Sequence, residues 1–109
     1  MQTDIVIVVT TTDSADAAHE LARSAVGARL AACAQVHGPM TSVYWWNGGV
    51  DEAREWRVEF KTTVERGPEL SDHLRGMHSY DVPEIVCLPV VDGAPSYLAW
   101  VRDSTRPAK

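Results

Sequence analysis

Two short apolar runs, residues 5–9 (IVIVV) and residues 85–91 (IVCLPVV), lack any alternation of apolar and polar side chains. A strand with one wet face alternates, so these runs predict strands that are buried on both faces. The two longer helix patterns elsewhere in the chain can cover only one face of a sheet. The second face must therefore be buried against something else, and another copy of the chain is the simplest partner.

The segment after the first run has the pattern of an amphipathic helix. Asp13 or Ser14 supplies the oxygen that caps the first turn, and apolar residues then recur at helical spacing until about Leu30. Extended stretches follow at residues 31–36 and 41–46. The sequence HGPM separates them, and its glycine and proline predict a kink or bulge in one long strand.

A hairpin is predicted next, since the NGG sequence at residues 47–49 tolerates the positive φ angles of a tight turn. The strand after it, residues 55–63, alternates between a core face and a polar face. Gly67-Pro68 predicts the start of a second helix, because proline loses no needed hydrogen bond at the first helical position. A short third helix is predicted at residues 95–101. The predicted core positions are Trp56, Val58 and Phe60 on the strand and Leu70, Leu74 and Met77 on the second helix, and the polar strand face is Arg57, Glu59 and Lys61.

The order β-α-β-β-α-β-α predicts an α+β fold in a single domain spanning residues 1–109. Two right-handed βαβ-like crossovers joined by a hairpin form a ferredoxin-like βαββαβ sandwich. Both crossover helices then lie on one face of a four-stranded antiparallel sheet, with an extra helix at the C-terminus. The free edges of the long hairpin strands also favour pairing with a neighbouring subunit.

Composition narrows the classes of function. The 109 residues are 45% hydrophobic, which is enough for one packed core. The formal charge is −5 and no stripe of Lys and Arg occurs, so neither a nucleic acid nor a membrane is expected as a partner. The N-terminus has an acidic residue where a signal peptide is basic, and a cytoplasmic location is expected. In a reducing cytosol Cys33 and Cys87 are expected to be free thiols in the core.

Five segments occur in order along the chain: RLAACAQV, TSVYWWNG, FKTT, HSYDVPEIVCLPV and YLAWV. Together they resemble the CutA family, the divalent-cation-tolerance proteins, over nearly the entire chain. The resemblance implies a homotrimer whose sheets meet around a three-fold axis, with clefts between subunits similar to those of PII signalling proteins. It also implies a non-catalytic role in tolerance of divalent metal ions, with copper as the bound ion. PII-like small-molecule signalling is the alternative function.

A metal site is one hypothesis for the segment around HSYDVPE. The copper site that the resemblance implies would use a thiol and two adjacent histidines, at positions where this chain has Val9, Met77 and His78. Met77 and His78 are therefore the candidate metal ligands, and thioether with imidazole suits Cu(I). Glu84 and Cys87 lie three residues apart in an extended segment and project to opposite faces, so they are not expected to share an ion.

Catalysis and ligand binding are the other hypotheses for this segment. His78 with Asp81 or Glu84 is the one candidate acid–base pair, and without a nucleophile elbow or a phosphate loop no enzyme is predicted. A ligand cleft needs flat apolar area with a few charged groups. The alternative for the tryptophans is packing at a subunit interface. The residues predicted to line a cleft are Trp46, Lys61, Tyr80 and Glu84.

Overall fold

The computed structural model of the protein describes residues 3–107, which form four strands and three helices. In chain order the elements are β1 (Ile5–Thr12), α1 (Ala15–Gly27), β2 (Cys33–Trp46), β3 (Gly49–Thr63), α2 (Gly67–Met77), β4 (Ile85–Pro89) and α3 (Pro95–Ser104).

The strands form one sheet in the order β2-β3-β1-β4, and every neighbouring pair is antiparallel. This is the predicted βαββαβ sandwich, with the last helix added after the fourth strand. No helix among residues 3–107 is long and apolar enough to cross a membrane.

The main core lies between one face of the sheet and the helices α1 and α2. Phe60 is fully buried at its centre, and Leu21, Leu70 and Leu74 bring the apolar sides of the two helices against it. The start of α1 is fixed by Ser14, whose hydroxyl oxygen accepts a hydrogen bond from the Ala17 N–H. Both helices therefore cover the same face, as predicted.

The hairpin between β2 and β3 projects from the sheet. Asn47 and Gly48 have φ angles of 48° and 79°, as a tight reversal requires. The predicted irregularity lies between His37 and Met40, where the pairing with β3 shifts register. Gly38 has a φ angle of 153°, and a Cβ there would approach the indole of Trp56 to 2.5 Å, so glycine alone fits.

The opposite face of the sheet is only partly covered. Helix α3 packs on one end of it, where Leu98 and Val101 bury Ile5. Beyond α3 the apolar side chains of Val86 and Leu88 on β4 are 45% and 43% exposed. The prediction of a strand buried on both faces thus holds for β1, whereas β4 has one apolar face open to solvent in the protomer.

Several predicted bounds and burials differ from the structure. Strand β1 extends to Thr12, because its last three residues pair with residues 56–58 of β3. Helix α1 ends at Gly27, ahead of the positive φ angle of Arg29, and β4 ends at Pro89. Met77 was expected on the apolar side of α2, but it is exposed at the last residue of the helix.

The expected burial of both cysteines is also wrong. Cys87 is exposed, because β4 is an edge strand that has no neighbour beyond it. Cys33 begins β2 and is half-buried. Both are free thiols, as predicted.

Candidate functional site

The loop that joins α2 to β4, residues 78–84, folds back over the end of β1. His78 holds its first part, with Nε2 2.8 Å from the carbonyl oxygen of Thr11 and Nδ1 3.1 Å from the backbone nitrogen of Tyr80. The hydroxyl of Thr10 donates to the carbonyl oxygen of Glu84 at 2.7 Å and holds the other end. The loop is therefore fixed to β1 at both ends.

The hydrogen bonds determine the tautomer of His78. The Tyr80 backbone N–H can only donate, so Nδ1 must present its lone pair. The Thr11 carbonyl can only accept, so Nε2 must carry the proton. In this state the imidazole uses both nitrogens to join two backbone segments, and neither nitrogen has a lone pair free for another partner.

Tyr80 connects the loop to the base of the hairpin. Its hydroxyl donates to the carboxylate of Glu55 at 3.0 Å, and its ring centroid lies 4.9 Å from that of His78. Partial burial, the bond to Glu55 and the negative charges of Glu55 and Asp13 together raise the pKa of Tyr80 far above its ordinary value of 10.0. The phenol therefore stays protonated and keeps donating to Glu55.

A cleft of about 850 Å³ opens between this loop and the hairpin, on the sheet face opposite α1 and α2. A volume of this size is typical of sites for small molecules. Its lining combines aromatic rings, carboxylates and hydroxyl groups. The aromatic and aliphatic residues are Tyr44, Trp46, Tyr80, Val43 and Val82; the acidic residues are Asp13, Glu55, Asp81 and Glu84; and the hydroxyl residues are Thr11 and Ser42.

Three of the four predicted cleft residues meet in this cavity: Trp46, Tyr80 and Glu84. Lys61 does not line it. Lys61 lies farther along β3, where its ammonium group donates to Gln35 and is 3.9 Å from the carboxylate of Glu59. A role for Lys61 in a ligand cleft stays a prediction, and it requires a cleft to which a second subunit contributes.

The two predicted metal ligands are adjacent in sequence but face different surroundings. His78 is turned to β1, whereas Met77 lines a separate surface cavity with α1 residues, among them His19 and Glu20. No group of three His, Cys, Asp or Glu side chains in the described part of the chain is arranged to hold a metal ion. Within the part of the chain that the structure describes, Met77 and His78 therefore belong to no preformed cluster of three such ligands.

The predicted acid–base pair has a different arrangement from the one that catalysis needs. The hydrogen bonds of His78 go to the backbone of Thr11 and Tyr80 and to neither Asp81 nor Glu84. The imidazole is thus oriented by main-chain groups and not by either of the two predicted carboxylate partners.

Eight of the eleven residues that line the cleft were not predicted to do so, and the acidic residues Asp13 and Glu55 are among them. A signal for Glu55 was present, because it shares the polar face of β3 with Arg57 and Glu59. Asp13 directly follows the last residue of β1, at the end of the strand that the loop crosses. It was considered only as a helix cap, a role that Ser14 fills.

Comparison with known proteins decides the family. The model of the family described as CutA1 divalent ion tolerance protein matches residues 6–104. The chain belongs to the CutA1 family. The family match spans the sheet, the helices and the loop at residues 78–84, so the cleft lies within the part of the chain that the family shares.

Individual CutA1 relatives agree with the family match. The divalent-cation tolerance protein CutA of Thermus thermophilus is 39% identical over 99 residues, which are 91% of this chain and 96% of that protein. A rice relative, "Protein CutA 1, chloroplastic", is 37% identical over 101 residues, which are 93% of this chain and 57% of the rice protein. The crystal structure of CutA from Xylella fastidiosa superposes with a TM-score of 0.93 at 27% identity and covers 95% of this chain and 100% of that one.

Proposed function

We propose that this protein serves divalent-cation tolerance by binding a ligand rather than by catalysis, and that the binding site is the cleft between the loop at residues 78–84 and the hairpin. The observation that carries the proposal is the cavity of about 850 Å³ lined by Trp46, Tyr80 and Glu84. It combines apolar area with a few polar groups, as sites for small molecules do. In this respect the proposed role is similar to that of PII-like signalling proteins.

Calorimetric titration of metal-depleted protein with a panel of small molecules tests this proposal. The panel contains a nucleotide, a neutral sugar and an amine, so that the charge of the ligand is not assumed. Trp46→Leu removes the largest apolar wall of the cleft. Trp100→Leu is the matched control, since Trp100 is exposed on α3 and does not line the cavity. Binding that Trp46→Leu weakens and Trp100→Leu preserves supports the cleft. Equal behaviour of the two variants contradicts it.

Copper binding at His78 and Met77 is the second candidate, and the family description of divalent ion tolerance favours it. It requires His78 to give up one backbone hydrogen bond and another subunit to supply further donors, because residues 3–107 contain no cluster of three His, Cys, Asp or Glu donors. Cu(I) titration tests it directly. His78→Ala is expected to abolish the binding, and Cys87→Ser is expected to preserve it. Tight binding that survives His78→Ala contradicts this candidate.

A homotrimer is also part of the proposal. The exposed apolar side chains of Val86 and Leu88, and those of Trp45 and Val50 on the hairpin, need a cover that the protomer does not supply. Light scattering is expected to give about three times the 12.0 kDa mass of one chain. A stable monomer at micromolar concentration contradicts the assembly.

A cytoplasmic location remains our proposal for this chain. The rice relative carries the description chloroplastic, so location varies among relatives and must be measured for each. Fractionation of the native cells with an antibody against the protein is the test. Recovery with a membrane or an extracytoplasmic fraction contradicts it.

A further inference from the structure

Helices α1 and α2 meet along a seam formed by Glu20 and Ser24 of α1 and His73 and Met77 of α2. Nε2 of the His73 imidazole lies 2.8 Å from the Ser24 hydroxyl oxygen. One turn farther along α2, Met77 lines a surface cavity of about 660 Å³ together with Ser24 and Glu20. An imidazole, a thioether and a carboxylate therefore lie around the same turn of α1.

The spacing of these residues places their side chains on facing sides of the two helices. His73 and Met77 are four residues apart on α2, and residues at this spacing lie one above the other on a helix surface. Glu20 and Ser24 have the same spacing on α1. Donors at i and i+4 of one helix can bind the same metal ion, as the two histidines of zinc metalloproteases do.

Ser24 orients the imidazole of His73. The serine oxygen can accept a hydrogen bond from Nε2–H, and this tautomer leaves a lone pair on Nδ1. Within residues 3–107 the contact with Ser24 is the only hydrogen bond of this ring. Metal-binding histidines commonly donate their second ring N–H to a neighbouring group, which fixes the ring. His73 differs in this respect from His78, whose two nitrogens both contact backbone groups.

The other two donors of the seam can be reached from solvent. Glu20 is exposed, and none of the seven ion pairs that join side chains in the described part of the chain includes it. Met77 is 38% exposed. Both lie on the helices, which cover the sheet face opposite the exposed apolar one. The proposed trimer covers that apolar face, so it leaves the seam open.

The donor set determines which metal the seam favours. Side chains of His, Cys, Asp and Glu form no group of three in residues 3–107, so a site with three protein donors here needs the thioether of Met77. Thioethers are soft ligands that select Cu(I), and imidazole also binds copper. Mg²⁺ and Ca²⁺ require oxygen ligands, of which the seam supplies one carboxylate. The chemistry of the seam therefore favours Cu(I).

We propose that Glu20, His73 and Met77 bind Cu(I) in the seam between α1 and α2, with Ser24 as a positioning residue. This inference rests on the proposed role in cation tolerance, but it does not use the cleft. It gives Met77 a different partner from the one in the second candidate, because His73 contacts α1 whereas His78 contacts β1.

Titration of reduced, full-length protein with Cu(I), in competition with a chromogenic Cu(I) chelator, is the test. Met77→Leu removes the sulfur with little change of volume, and His73→Gln removes the imidazole but keeps an amide that can donate to Ser24. Glu20→Gln removes the carboxylate charge. Each change is expected to weaken Cu(I) binding by at least about tenfold, since the loss of a group that only orients a ligand already costs roughly 10–100-fold. Ser24→Ala is such a change, and a loss of about tenfold is expected.

Three further variants separate this site from its alternatives. His19→Gln is the matched control, because His19 is exposed on α1 and lines the same cavity but is not one of the proposed donors. His78→Ala removes the imidazole of the second candidate. Cys87→Ser removes an exposed thiol, which can bind Cu(I) by itself. All three are expected to keep native affinity, and circular dichroism and light scattering of every variant must match the wild type.

Each outcome supports or overturns the site. Loss of affinity in His73→Gln and Met77→Leu, with native affinity in His19→Gln, His78→Ala and Cys87→Ser, supports it. Loss in His78→Ala with native affinity in His73→Gln overturns it and favours the second candidate. Loss confined to Cys87→Ser assigns the ion to a single thiol and also overturns it. Absence of Cu(I) binding overturns the site as well, while the small-molecule titration still tests the cleft independently.

Discussion

Replacing His78 with alanine tests how the cleft loop is held. The substitution removes the bonds of Nε2 to Thr11 at 2.8 Å and of Nδ1 to Tyr80 at 3.1 Å. A hydrogen bond contributes roughly 0.5–1.5 kcal/mol net, and loss of the aromatic contact with Tyr80 adds about 0.5 kcal/mol. Because His78 is only half-buried, water can replace part of the lost hydrogen bonding and reduce the loss of stability. We expect the free energy of unfolding to fall by about 2 kcal/mol.

The assay is urea denaturation of metal-depleted protein at a fixed subunit concentration, so that neither metal binding nor assembly changes the reference state. His19→Ala is the control. His19 is an exposed residue of α1, and its replacement is expected to change the free energy of unfolding by less than about 0.5 kcal/mol. The loss in His78→Ala should persist in the presence of a chelator, because it arises from hydrogen bonds and not from an ion.

A loss below about 0.5 kcal/mol in metal-free protein would contradict a structural role for His78. It would mean that the two backbone groups find other partners without cost and that His78 does not hold the loop. A loss that appears only when copper is present would assign His78 to the metal instead.

Three further predictions address the thiols, the pH dependence and the core. Cys87 is exposed and should react with a thiol reagent before the half-buried Cys33. Desolvation raises the pKa of the Cys87 thiol and slows its reaction, but exposure is expected to decide the order. Faster labelling of Cys33 would contradict the fold of β4. The contact with the Cys33 thiol and partial burial raise the pKa of Tyr97 from 10.0 to about 12. Between pH 10 and about 12 the folded protein retains a proton that the unfolded chain has released, so the free energy of unfolding should fall as pH rises through this range. Urea denaturation at several pH values should show a smaller fall for Tyr97→Phe than for the wild type. An equal fall in both proteins would contradict the role of Tyr97. Leu74→Ala removes a fully buried side chain of α2 and should cost about 3 kcal/mol of unfolding free energy, and a cost below about 1 kcal/mol would show that the helix is not packed as described.

The parts of the fold that depend on residues close together in the sequence could be predicted from the sequence. The cap at Ser14, the turn at Asn47 and Gly48 and the start of α2 at Gly67 and Pro68 each follow from the chemistry of a few consecutive residues. The order of elements then leads to the sheet topology, because few connections satisfy handedness.

The parts that depend on distant residues could not be predicted in this way. The burial of Cys87 depends on whether a strand or helix covers β4, and in the observed strand order this edge is open. The bond between His78 and Thr11 joins residues 67 positions apart, and the sequence pattern does not specify it. When this bond is not known, a histidine near carboxylates can be interpreted equally well as a metal ligand, a catalytic base or a structural residue.

The cleft itself was predicted in part. Tyr80 and Glu84 are close in sequence, and the resemblance places Trp46 near them. Lys61 shares the sheet face of Glu55, but six residues of extended chain separate them, which is about 20 Å. Alternation along a strand identifies the face of a residue but not its position along the sheet relative to a loop from elsewhere. For this reason the acidic character of the cleft emerged only from the structure.

Nitrogen NMR of the His78 side chain, recorded before and after addition of one equivalent of Cu(I), distinguishes a role in holding the loop from a role in binding metal. We expect a proton on Nε2 and an unprotonated Nδ1 that accepts from Tyr80, and we expect Cu(I) to leave both signals in place. A proton on Nδ1 in the metal-free protein would show that His78 does not accept from Tyr80 and does not hold the loop in this way. A shift of the Nδ1 signal to a metal-bound position would show that His78 binds the ion.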